Sequence, residues 1–75
     1  MVRYNMYFVT YYDEEAKKVL EELKNMEISV INMMRSSILK EFYYITVEGS
    51  ENLEDKLEER VKKITGCWVK VERVR

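Results

Sequence analysis

The sequence predicts an α+β sandwich in which a four-stranded antiparallel sheet carries two helices on one face. Three observations predict it: four runs rich in β-branched and aromatic residues, two amphipathic runs of helical period, and their alternation as strand, helix, strand, strand, helix, strand.

Asn5 to Tyr12 contains Met6, Tyr7, Phe8, Val9, Thr10 and Tyr11, side chains suited to a pleated, largely buried surface, and reads as strand one. Its inward face stays open, because Tyr4, Met6 and Phe8 compete with Tyr7, Val9 and Tyr11, and a one-residue slip exchanges the two sets. Asp13-Glu14-Glu15 then sets a capping side chain and two acids at the positive end of a helix dipole. Ala16, Val19, Leu20, Leu23 and Met26 follow as one apolar stripe, opposed by Lys17, Lys18, Glu21, Glu22 and Lys24. This is helix one.

Ile28 to Met34 is a second β-branched and apolar run, Arg35-Ser36-Ser37 interrupts it, and Leu39 to Val47 resumes strand character, so strands two and three are expected as a hairpin. Gly49-Ser50 ends strand three, Asn52 stands where a cap is needed, and Leu53, Leu57, Val61 and Ile64 repeat at close to helical spacing. Glu58 with Lys62 and Glu59 with Lys63 are in the favourable i,i+4 order on that second helix. Gly66 supplies a left-handed residue to end it, and Cys67 to Val74 reads as strand four. This order is the ferredoxin-like βαββαβ pattern, with right-handed crossovers placing both helices on one side, and residues 1–75 read as a single domain.

A chain of 75 residues has room for one core and little stability to spare. One cysteine forbids an internal disulfide and the absence of histidine removes the usual zinc sets, which leaves self-association as the remaining means of stabilisation. Thirteen basic residues against 14 acidic ones give a net charge of −1, too little field to gather nucleic acid or an anionic membrane. No apolar run approaches the roughly 20 residues of a membrane span, and no basic segment followed by an apolar one opens the chain, so a cytoplasmic protein is expected. A charged fraction of 36%, rich in Glu and Lys and without Gln or His, resembles thermophile proteins, although the lack of proline runs the other way.

Two helices cover one side of such a sheet, so the other must be solvated or meet a partner. In strand three, Phe42, Tyr44 and Thr46 alternate with Tyr43, Ile45 and Val47, and in strand four Trp68, Lys70 and Glu72 alternate with Cys67, Val69 and Val71. Placed together on the open face, Phe42, Tyr44 and Trp68 make an apolar patch of the kind that marks an oligomer interface. Simple shielding of the sheet, or stacking of a ligand or RNA base, are the other uses of such rings.

No catalytic constellation is visible. Glu14-Glu15, Glu21-Glu22 and Glu58-Glu59 are adjacent pairs that splay about 100° apart on a helix, which marks solvated faces. No carboxylate loop has calcium spacing, and with only Gly49 and Gly66 there is no glycine-rich phosphate loop, so no metal or cofactor is expected. Cys67 suits a buried small residue better than a nucleophile. Lys40 to Val47 partly matches the third-strand consensus of RNA-recognition motifs at Lys40, Phe42, Tyr44 and Ile45, but fails at Glu41, Tyr43 and Val47, and no charge excess supports it.

Tyr44-Ile45-Thr46-Val47-Glu48-Gly49, the Leu53-Leu57-Val61-Ile64 helix and Val69-Lys70-Val71 together resemble an ACT-type regulatory domain, and are similar to the N-terminal domain of acetolactate synthase small subunits. The resemblance covers nearly the whole chain in element order and length, and rests on hydrophobic pattern. It implies a non-enzymatic, side-by-side homodimer or higher homo-oligomer that regulates a partner enzyme and senses an effector, commonly an amino acid. By position, the effector would lie between Tyr11, Tyr12, Asp13 and Glu14 of one subunit and Ser29, Val30 and Ile31 of its neighbour. The chain departs from the family's pattern where a glycine at the start of helix one is replaced by the bulky Tyr12-Asp13-Glu14 region, and where Glu27 stands for an asparagine. An adaptor that binds another protein, without any small ligand, is the alternative use of the same scaffold.

Overall fold

Strand β1 (Val2–Val9) runs through the centre of the sheet, and its register decides which side chains form the core. In the computed structural model, which describes residues 1–74, Tyr4, Met6 and Phe8 are fully buried while Asn5, Tyr7 and Val9 face the other way. The elements continue as α1 (Asp13–Asn25), β2 (Ser29–Arg35), β3 (Phe42–Gly49), α2 (Glu54–Thr65) and β4 (Val69–Arg73). The strands form one antiparallel sheet in the order β2-β3-β1-β4, the ferredoxin-like α+β arrangement. Tyr43, Ile45 and Val47 of β3 join the β1 set, and Ala16, Val19 and Leu23 of α1 with Leu57 and Val61 of α2 close over them. No helix among the described residues is long and apolar enough to cross a membrane.

Strands one, three and four differ in their boundaries from those expected, and each difference moves side chains out of the sheet; strand three starts at Phe42 and not at Leu39, which leaves Leu39 exposed in the hairpin. Strand one begins and ends three residues earlier than its composition suggests, pairing from Val2 against Gly49 to Val9 against Phe42. Tyr11 and Tyr12 therefore leave the sheet and stand in an exposed loop. Strand four starts only at Val69, so Cys67 lies half-buried in the preceding turn instead of opening the strand.

Neither expected side-chain cap forms. Asp13 is the first residue of α1 and not its cap, and Tyr12 in the cap position makes no side-chain bond. Asn52 adopts a left-handed φ of 61°, and Leu53 precedes α2. The work of capping passes to the core tyrosine instead, because the Leu53 amide donates to the Tyr4 hydroxyl at 3.3 Å and that hydroxyl donates to the Ser50 carbonyl at 2.6 Å. Gly66 ends α2 in the left-handed conformation, φ 66°, as its sequence position suggests. Helix α1 ends on the same kind of turn, with Glu27 at φ 60° where glycine is usual and with Ile28 N–H bonded to the Leu23 carbonyl at 2.9 Å.

The two sheet edges differ. On β4 the Val71 amide donates to the Glu58 carboxylate at 3.1 Å, and Lys70, Glu72 and Arg73 leave the strand short and charged, all devices that discourage another chain from adding there. The expected Glu58–Lys62 pair does not close, because Glu58 is turned to this strand. The β2 edge has neither protection. It is uncharged from Ser29 to Met34, exposes Val30, Ile31 and Met34, and is interrupted only by a bulge at Ile31.

Tyr4→Phe leaves the Ser50 carbonyl and Leu53 amide without their partner, and is expected to lower unfolding free energy by about 1–3 kcal/mol in urea titration. Gly49→Ala would set a Cβ 2.8 Å from Leu53 Cδ1, the far end of a side chain that can turn aside, and is expected to lower it by only about 1 kcal/mol or less, read in the same way.

Candidate functional site

Thr10 is the hinge of the loop between β1 and α1. It is buried, its hydroxyl donates to Glu15 Oε1 at 2.6 Å, and it accepts the Tyr12 amide at 3.3 Å. This bracing turns the chain so that Tyr11 and Tyr12 lie largely exposed at the start of the helix. Asp13 meets the opposite wall. Its carboxylate pairs with Arg35 at 3.4 Å and accepts the Tyr43 hydroxyl at 3.4 Å. The Arg35 guanidinium lies 5.2 Å from the Tyr43 ring centroid, and its Nε donates to the Lys40 carbonyl at 2.5 Å.

Tyr11 through Glu15, Lys18 and Arg35 line an open groove of about 590 Å³. Burial pushes the Tyr43 phenol above its ordinary pKa of 10.0, with the Asp13 carboxylate adding to the rise and the Arg35 cation opposing it. On the outer face, the hydrogen bond and charge of Glu72 raise the Lys70 pKa.

All four loop residues expected from the sequence, Tyr11, Tyr12, Asp13 and Glu14, thus lie together on one groove. Ser29, Val30 and Ile31 do not join them within the chain. They occupy the opposite end of β2 from Arg35, with Ser29 opposite Glu48 and Arg35 opposite Tyr43. Glu15, Lys18 and Arg35 also line the groove and were not expected there. Lys18 is four residues beyond Glu14 on the same helix, a visible signal, whereas Arg35 reaches the groove only because the hairpin folds its strand end beside the loop.

Phe42, Tyr44 and Trp68 share the helix-free face of the sheet. The Phe42 and Trp68 rings stack at 6.1 Å, and Tyr7 joins them, 6.3 Å from Phe42 and 5.1 Å from Tyr44. Tyr7 comes from β1, whose outward face composition alone did not identify. Below the rings, Asn5 Oδ1 accepts from the Tyr44 and Thr46 hydroxyls at 3.1 Å each, and Arg3 pairs with Glu48 at 2.9 Å. Among the described residues, no three His, Cys, Asp or Glu side chains are grouped to hold a metal ion. Comparison with family models, with curated proteins and with solved structures yields no match for this chain.

Because folding raises the Tyr43 pKa, its contribution to stability is fully present below pH 10 and is lost as pH climbs through the folded value. Tyr43→Phe is therefore expected to flatten the alkaline fall in stability, measured by urea unfolding between about pH 9 and 11.

Proposed function

We propose that this chain is a non-catalytic regulatory domain that pairs side by side with a second copy and holds a small zwitterionic effector of the amino-acid class at the seam. The observation that carries this reading is the groove at the β1–α1 loop, where acids and bases of separate elements converge. Asp13 and Glu14 suit an ammonium group, Lys18 and Arg35 a carboxylate, and the volume lies in the range of small-ligand sites.

The unprotected β2 edge supports the pairing. Antiparallel addition about a two-fold axis sets the Ser29 end of one β2 beside the Arg35 end of the other, so Ser29, Val30 and Ile31 of the partner subunit would complete the groove. Charges agree with that direction, since Glu27 flanks one end of the strand and Arg35 and Lys40 the other. An effector-dependent change at this seam is what a partner enzyme would sense. The second reading, a protein adaptor without a small ligand, is favoured by the exposed Trp68 beside Phe42 and Tyr44.

A thermal-shift panel of the amino acids tests the proposal. At about 100 times Kd, a binder of the native state gains roughly 2.7 kcal/mol, which in a domain of this size raises the melting temperature by about 10 °C or more. Arg35→Ala and Asp13→Asn are expected to remove the shift. A flat panel with the parent protein would exclude the amino-acid sensor and leave the adaptor.

A further inference from the structure

The hairpin between β2 and β3 presents an aliphatic tip. Ile38 is 88% exposed and Leu39 55% exposed, yet the backbone that carries them is well braced. The Ile38 and Leu39 amides donate to Ser36 Oγ at 3.2 and 3.0 Å, the Phe42 amide donates to the Leu39 carbonyl at 2.9 Å, and Arg35 Nε donates to the Lys40 carbonyl at 2.5 Å. A loop fixed from within that leaves two large aliphatic side chains in water has its contact surface prepared in advance. Beside the tip lies its counterpart. Met34, Phe42 and Tyr44, with Arg35 and Ser36 at the margin, line a mostly apolar groove of about 510 Å³ that neither Ile38 nor Leu39 of the same chain fills.

We propose that the Ile38–Leu39 tip of one copy inserts into the Met34–Phe42–Tyr44 groove of a second copy, and that a two-fold axis makes the contact reciprocal. Convex and concave members on one chain, a few residues apart, are what an isologous interface requires. The charges favour a second copy over other occupants. Arg3 with Glu48 and Lys70 with Glu72 pair at 2.9 Å each within the copy, and Arg35 is held by Asp13 at 3.4 Å. Two such faces meet without opposing unbalanced charge, whereas a polyanion or an anionic bilayer finds little to hold it. The molecule's extents of 31 × 21 × 17 Å allow the sheet face to offer on the order of 600 Å², the lower limit per partner for a specific interface, before the tip adds its own area. This contact uses the tip and outward side chains of the open face, Met34 of β2 among them, and not the backbone edge of β2, and it does not depend on the effector reading.

Sedimentation equilibrium of the full chain tests it. Ile38→Asp alters a side chain with almost no contacts in its own copy, so the fold is retained, and it is expected to weaken self-association through this face at least tenfold. An unchanged association constant would overturn the proposal. A second measurement locates the contact: unlabelled protein carrying Ser37→Cys and Cys67→Ser, spin-labelled at position 37, is mixed with isotopically labelled parent chain. Relaxation enhancement at Met34, Phe42 and Tyr44 of the labelled copy is expected. Enhancement confined to Ser29–Ile31, or none, would overturn the tip-in-groove contact while leaving the β2 seam a separate question.

Discussion

The hydroxyl of Tyr4 is the point on which the rest of the architecture depends. Its ring lies in the core while its oxygen joins the Ser50 carbonyl and the Leu53 amide, so the inward face of β1 is tied to the start of α2. With Tyr4 fixed inward, Met6 and Phe8 must go the same way, and Phe8 stacks on Tyr43 at a centroid distance of 5.2 Å. The same alternation carries Thr10 into its buried position, which turns the loop and exposes Tyr11 and Tyr12. It also sends Tyr7 to the opposite face, where it completes the ring cluster with Phe42, Tyr44 and Trp68. A slip of one residue would bury Asn5 and expose Met6, undoing core, groove and patch together.

Two helices over four strands leave unsatisfied surface in two places, the strand edges and the outer face. The chain treats its edges unequally. Glu58 gives up an intrahelical ion pair to accept the Val71 amide of β4, while β2 remains uncharged from Ser29 to Met34 and unshielded. Glu27 at the entry to β2 occupies a left-handed position that glycine would fill with less strain, so the acidic group stands beside that open edge at some energetic cost. The two proposed contacts, pairing of β2 with a copy and docking of hairpin tips on the outer face, are compatible, since one would extend the sheet sideways and the other would stack it, and together they would build a higher homo-oligomer.

Most of the fold was legible from local pattern. The apolar stripes of both helices, the hairpin, and the terminating Gly66 all rest on residues close in sequence. What was not legible depended on distant partners. The aromatic run continues through Tyr12, but strand pairing ends with Val9 opposite Phe42, followed by one further backbone bond from Thr10 to Glu41, and Asp13 lies one residue inside the helix, where its carboxylate meets Arg35 and Tyr43. The loop half of the candidate site was found from position along the chain, while Arg35 enters it only through the three-dimensional return of the hairpin. The inward face of β1 could not be chosen from composition, since both candidate sets are apolar. Tyr4 is held inward by bonds to Ser50 and Leu53, more than 40 residues further along the chain, and no local pattern announces them.

Pairing through the open β2 edge would bring the two halves of the groove together, and amide hydrogen exchange across a concentration series, read by NMR, reports on that edge residue by residue. The outward amides of Ser29–Arg35 are expected to exchange rapidly in dilute solution and to gain about tenfold or greater protection as concentration rises, whereas the Val71 amide, bonded to Glu58 within the chain, is protected equally throughout. Amides of β2 that remain unprotected at the highest concentration would contradict it.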